Sequence, residues 1–383
     1  MKKRLLGGIL AISMLTMGLV GCGNGQGSSG DSDEIVIGAI GPLSGGASTY
    51  GQSVKNGAQI FLDKVNANGG IDGKQVVLKF EDDEADPTKA INAYDKLVNQ
   101  DGVGLLLGPV TSGAANAVGP NATADGVPMI TPSGTETNLT TTGGEFVFRT
   151  CYIDATQGEV IAKYSTENLG AKTMAVLYNK DSDYSIGIAE AAKAQFESNG
   201  GKVVEYVSYN EGDKDFSAQL TNIKGSNPDV LVLPDYYSVV GVIADQARKI
   251  GITSQLMGGD GWDSPELVKI GGDAVEGAFF VNHYSPNDTD QAVQEFVNSY
   301  KEKYGQTPDA FAALSYSTLQ LFEEAITKAG STDGEAVKEA LKNIEGETIS
   351  GNIKFDENRN PQKSVSIIKI ENGEAKLETK VNP

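Results

Sequence analysis

Short β-branched runs alternate with helix-periodic stretches along this chain, and the alternation begins twice. Residues 34–40 (Glu-Ile-Val-Ile-Gly-Ala-Ile) read as a strand. Residues 52–66 then place Val54, Ala58, Phe61, Leu62 and Val65 at helical spacing before Gly69-Gly70 stops the helix. Further strands are predicted at 76–80, 103–107 and 127–130, with helices at 87–99 and 112–124. Strands that are apolar on both faces and alternate with helices predict a parallel sheet with right-handed crossovers. After Asp154 the pattern restarts, with strands at 173–178, 202–207, 230–234, 255–257 and 278–281 and helices at 185–198, 216–223, 239–250 and 265–270. A long apolar helix at 310–329 packs on whichever lobe the chain returns to. The predicted fold class is α/β, in two lobes. Ligands in such sheets bind outside the C-terminal ends of the strands, so two lobes facing each other by those ends form a cleft.

The first residues carry a separate instruction. Lys2, Lys3 and Arg4 precede an apolar stretch at 5–20, the n-region and h-region of a secretory signal. Those sixteen residues contain Gly7, Gly8 and Gly18 and fall short of the roughly 20 that a membrane span needs. The stretch ends in Leu19-Val20-Gly21-Cys22, which resembles the bacterial lipoprotein box, where the cysteine thiol is lipidated and becomes the new N-terminus. An ordinary signal peptide with a chance cysteine is the alternative. Residues 23–33 are rich in Gly and Ser, with nothing to bury, and read as a flexible tether. A lipid on Cys22 leaves Cys151 without a disulfide partner. Cys151 then reads as a small buried filler.

Composition excludes several functions. The formal charge is -20, and losing the signal removes three positive charges and no acid, so phosphate backbones are repelled and nucleic acid is not an expected partner. A single His and two Cys cannot supply a His-rich metal site, a zinc ribbon or an iron–sulfur set, and neither a metal nor a cofactor is expected. No Gly-x-Ser-x-Gly, His-Glu-x-x-His or P-loop pattern occurs, and the chain is not expected to be an enzyme.

The strand ends point to a ligand. Gly108-Pro109-Val110-Thr111-Ser112-Gly113 and Thr131-Pro132-Ser133-Gly134-Thr135 set small residues and free N–H groups after two successive strands, a setting for a carboxylate. Taken singly, each loop is better explained by helix capping or a turn; two such loops in one lobe shift the balance toward a ligand. In the second half the strand ends are aromatic and acidic: Tyr184, Tyr236-Tyr237, and Gly258-Gly259-Asp260-Gly261-Trp262. A carboxylate among glycines suits an ammonium group, and aromatic faces suit a cation or an apolar side chain. Together these features describe a zwitterion with an apolar side chain.

The ordered series also resembles a known family, the type I periplasmic binding proteins of branched-chain amino acid ABC importers. The resemblance covers residues 34–383. It runs through Gly41-Pro42-Leu43-Ser44-Gly45, Asn68-Gly69-Gly70-Ile71-Asp72-Gly73, Thr131-Pro132-Ser133, Arg149-Thr150, Asp215-Phe216-Ser217, Gln246-Ala247-Arg248 and Gly259-Asp260-Gly261. It implies two Rossmann-like lobes joined by a three-segment hinge, with crossings near 152–156, 281–286 and 361–367. One lobe is then 34–154 plus 284–362, and the other 155–283 plus 363–383.

The resemblance also implies roles. Ser112, helped by the N–H of Thr135, would hold the ligand carboxylate. The Ser133 carbonyl and Thr135 hydroxyl would meet the ammonium, with Asp260 as its anionic partner. Tyr50, Val110, Thr111, Gly134, Tyr184, Tyr236, Gly261 and Phe311 would line the remaining pocket. The family prototype has Glu at the position of Asp260, and a disulfide at positions that here are Ala85 and Thr111. The implied function is capture of an apolar L-amino acid and delivery to a membrane permease by a monomer tethered outside the cytoplasmic membrane through Cys22. Another small ligand on the same scaffold, such as an amide, urea or aromatic acid, and a ligand-presenting sensor are the alternatives.

Overall fold

A computed structural model describes residues 34–382; the predicted signal, the tether and Cys22 lie outside the described residues. The first sheet consists of β1 (Glu34–Gly41), β2 (Gln75–Asp82), β3 (Leu106–Leu107), β4 (Met129–Thr131) and β5 (Val147–Arg149). All are parallel, in the order β2-β1-β3-β4-β5. Alternate residues of β1 face opposite layers, as strand pleating requires. Ile35, Ile37 and Ala39 pack with α1 (Ser48–Ala67), whereas Ile40 packs with α2 (Pro87–Asp95) and α3 (Ser112–Asp125). The expected strand at 103–107 pairs only at Leu106 and Leu107. The helix predicted at 87–99 runs as α2 to Asp95 and then widens over Lys96–Gln100, where the N–H of Asp101 reaches back five residues to Lys96.

Small helix α4 (Leu139–Gly143) precedes β5, and α5 (Asp154–Glu167) carries the chain to the second sheet. There β6 (Thr173–Asn179), β7 (Lys202–Tyr209), β8 (Val230–Val232), β9 (Gln255–Gly258) and β10 (Phe279–Asn282) lie in the parallel order β7-β6-β8-β9-β10. Pleating again divides the layers. Met174 and Val176 face α5 and α6 (Asp183–Ser198), while Ala175 and Leu177 face α7 (Ser217–Ser226) and α8 (Tyr237–Lys249). After α9 (Pro265–Gly271) and β10, the chain returns through α10 (Gln291–Tyr304) and α11 (Ala310–Ala329), which pack against α1 of the first sheet. Following α12 (Gly334–Lys342) and the hairpin β11 (Glu345–Thr348) and β12 (Gly351–Lys354), it ends back in the second sheet. There β13 (Val365–Glu371) and β14 (Glu374–Val381) extend the β10 edge antiparallel.

Helix α11 is the late element on which the first sheet depends. Most of its residues from Ala310 to Leu321 are buried, and it meets α1 at backbone contact distance. A Cβ on Gly57 would lie 2.1 Å from the carbonyl oxygen of Ala312, so only glycine fits there. The Ser315 hydroxyl, donating to the Val54 carbonyl at 2.7 Å, ties the two helices together. The helix begins at Asp309, whose carboxylate accepts the Ala312 N–H at 3.0 Å and the Ser53 hydroxyl. Burial, with the neighbouring Asp263 carboxyl, pushes Asp309 up to about 7.

Two outcomes follow. Gly57→Ala should lose about 1–3 kcal/mol or more of stability in denaturant unfolding, because the overlap is with backbone; Gly225→Ala, where an added Cβ meets nothing within 4 Å, should cost none. Asp309 keeps its proton in the folded state where the unfolded chain, with an Asp pKa near 4, has released it. Its contribution is therefore fully present below about pH 4 and is lost as pH rises toward 7. Asp309→Asn retains the cap, and its stability should fall less steeply than wild type between those limits in pH-resolved thermal melts.

Candidate functional site

In both sheets the strand order reverses beside the first strand, between β1 and β3 and between β6 and β8. Loops leaving neighbouring strands diverge there and open a crevice at the C-terminal strand ends. The residues singled out in the sequence lie on these ends or on helices entering them. Val110, Thr111 and Ser112 follow β3; Ser133, Gly134 and Thr135 follow β4; Tyr184 is in the first turn of α6; and Tyr236 immediately precedes α8. Asp260 and Gly261 occupy a single tight turn after β9, and Tyr50 and Phe311 open α1 and α11. All are buried except Tyr236, which is partly so.

Asp260 is held by three neighbours. Its Oδ1 accepts the Tyr184 hydroxyl at 2.9 Å, its Oδ2 lies 2.8 Å from His283 Nε2, and its backbone N–H donates to Gln157 Oε1 at 2.9 Å. Tyr184 also accepts the Gly261 N–H at 2.8 Å, so one phenol fixes both ends of the turn. Burial drives His283 down to about 4 against the opposing pull of Asp260, and the imidazole is neutral at pH 7. Among the described residues no Lys or Arg lies within ion-pair distance of Asp260. The turn therefore presents a buried carboxyl group that only neutral donors touch.

Opposite chemistry gathers at the first sheet. Ser112 Oγ accepts the N–H groups of both Thr135 and Glu136 at 3.2 Å, which leaves its hydroxyl proton free to donate. The Thr135 N–H, expected to reach a ligand itself, is directed to Ser112 instead. Ser133 donates its hydroxyl to the Val110 carbonyl at 2.8 Å, and Thr131 donates to Pro109 at 2.6 Å, so the two loops are laced together. The hydroxyls of Thr111 and Thr135 are buried with no hydrogen-bond partner among the described residues, as is Oδ2 of Asp154. Burial holds the Asp154 carboxyl well above the usual carboxylate range. Unpaired buried polar groups are costly, and such a cluster fits a polar ligand that satisfies them.

Aromatic rings close the seam between the sheets. Tyr50 stacks on Phe311 with centroids 4.1 Å apart and meets Tyr236 edge-on at 5.4 Å, while Tyr184 stacks on Tyr236 at 5.2 Å. The Tyr50 hydroxyl donates to the Gly261 carbonyl, joining α1 to the turn that holds Asp260. Ser264 to Thr49 at 3.2 Å and Asn116 to Asp183 at 3.1 Å are further bridges between the two halves. The arrangement is a closed one.

His283, Asp154 and Tyr152 fall within the expected crossings but are not among the expected site residues. The first is the chain's single His and follows a strand, a position that could have drawn attention to it. The Asp154 carboxyl is marked only by its burial, which no local pattern reveals. Cys151 is a free, fully buried thiol beside the Gly134 carbonyl, pushed up to about 12 by burial, as suits a filler.

Comparison with known proteins places this geometry in a family. The family model described as "Periplasmic binding protein" matches residues 34–375. The Leu/Ile/Val-binding protein BraC3 of Rhizobium johnstonii is 36% identical over 343 residues, 89% of this chain and 92% of that protein. A leucine-binding protein, LivK, from Thermotoga maritima superposes with a TM-score of 0.87 at 37% identity, covering 91% of this chain and 99% of the other. The branched-chain amino acid transporter substrate-binding protein LivJ of Streptococcus pneumoniae, solved in complex with isoleucine, gives 0.86 at 34% identity and covers 91% and 100%. A chain with two doubly wound sheets, reversal-point loops facing each other and relatives of this extent belongs to the periplasmic binding protein family, in its Leu/Ile/Val-binding branch.

Proposed function

We propose that this protein captures an apolar L-amino acid, with a branched-chain side chain the best fit, between its two lobes and delivers it to an ABC importer. The observation that carries this reading is Asp260, a buried carboxyl group that neutral donors orient and that no cation among the described residues neutralises. An ammonium is the complement such a group requires. The ligand carboxylate would accept from the Ser112 hydroxyl across the seam, and the Thr111 and Thr135 hydroxyls would gain partners. Tyr50, Val110, Tyr184, Tyr236, Gly261 and Phe311 would surround the apolar side chain, and the Ser133 and Gly134 backbone would face the polar end. A neutral amide or urea, or an aromatic acid lacking an ammonium, would leave Asp260 unmatched.

The lobes on this reading are 34–154 plus 284–362 and 155–283 plus 363–383, turning about the three crossings. A ligand touching both lobes favours the closed form by its differential affinity, and that form is what a permease would recognise. Capture needs no bond made or broken. Lipidation of Cys22 would hold the protein at the outer face of the membrane, and the chain would act as a monomer. Cys22→Ser should then leave the exported protein in the soluble fraction.

Titration calorimetry with the twenty L-amino acids is the direct test, with heat expected from at least one of Leu, Ile, Val, Ala and Phe. Silence from all five would sink the amino-acid reading. Asp260→Ala should weaken binding at least about 30-fold while the melting transition stays cooperative. Undiminished affinity in that variant would remove Asp260 from the site.

A further inference from the structure

His283 stands where the three passages of the chain between the sheets meet. It directly follows β10, on the segment that leads toward α10. The ring of Tyr152, from the segment between β5 and α5, stacks on it with centroids 3.6 Å apart and planes 28° from parallel. Lys363, from the segment leading into β13, is near enough for its charge to act on the imidazole. The His283 side chain is 1% exposed, and its Nε2 lies 2.8 Å from Asp260 Oδ2.

Two independent facts define its state. Nδ1 is buried and has no hydrogen-bond partner among the described residues, so a proton there would have nothing to donate to. The titratable groups facing the ring are the Asp260 carboxyl and Lys363, whose amine burial brings down to about 7; the positive charge that remains on it opposes a second one on the imidazole. The imidazole is then the neutral tautomer with its hydrogen on Nε2, donated to Asp260. A neutral donor fixes a carboxylate without cancelling its charge. An imidazolium in the same place would fill the role that the ligand ammonium fills.

We propose that His283 is a positioning residue for ligand recognition: through its Nε2–H it anchors Asp260 Oδ2 to the junction of the three crossing segments, aiming an uncancelled carboxylate at the ligand ammonium. Tyr184 holds the other oxygen from the second sheet's α6, so the carboxylate is gripped on one side by a lobe and on the other by the hinge. The proposal rests on the amino-acid reading above.

Because His283 is the only histidine, a chain without an affinity tag gives one set of imidazole resonances when labelled with ¹⁵N-histidine. The expected spectrum at pH 7 is a neutral ring with its proton on Nε2, shifted on addition of L-leucine. In calorimetry, His283→Leu should weaken the best amino-acid ligand about 10- to 100-fold, the loss of a hydrogen bond to a charged group. His283→Gln, which can offer an N–H at similar reach, should recover most of that loss. An imidazolium, a proton on Nδ1, or wild-type affinity in His283→Leu overturns the proposal. Equal weakening by Leu and Gln also overturns it, since that marks a packing role. A wild-type chain that binds no amino acid defeats the functional reading itself, an outcome separate from a wild type that binds and a His283→Leu variant that binds as well.

Discussion

A carboxylate inside a protein is tolerated only when hydrogen bonds or an opposite charge replace the water it has lost, and the seam of this molecule is arranged around one such group. Asp260 receives a phenol and an imidazole and, among the described residues, no cation. The tight turn that carries it is fixed by Gln157 from α5, by Tyr184 from α6, and by Tyr50 from the opposite lobe through the Gly261 carbonyl. Each support comes from a different segment. The position of one carboxyl group thus depends on the packing of both sheets, and a change in the angle between them alters the environment of that charge.

The first-sheet side has the complementary character without any basic side chain. Ser112 collects two backbone N–H groups on its oxygen and is left with a proton to give. Arg149, the nearby cation, is fully buried with its guanidinium turned to the Gly134 carbonyl at 3.0 Å, and it supports the loop from beneath. A zwitterion filling such a site would leave its net charge unchanged while pairing its ammonium with Asp260 and its carboxylate with neutral donors, which suits a water-poor seam lined by aromatic rings.

Much of this was legible in the sequence because it is periodic or local. Strand and helix alternation gave the two doubly wound halves, and the loops after β3, β4 and β9 were readable from glycine, proline and small polar residues at strand ends. The pieces that escaped are those defined by distant contacts. Strand β5 is three residues long and lies at a sheet edge beyond a loop, too short for a period to show. Strands β13 and β14 alternate more weakly, since β14 is half exposed and polar. The sequence shows His283 at a strand end but not its partner, because the 23 positions separating it from Asp260 are closed by the sheet and not by the chain.

The return of α11 to the first sheet bears on how the molecule is made. That helix packs against α1 and β3 in the first half, yet it begins only at Ala310, and the second sheet is completed by a strand reaching Val381. During synthesis neither half can finish its core until nearly the whole chain has emerged. A growing chain therefore stays incompletely folded for most of its translation, a state that a transmembrane export channel can thread and a finished globule would block.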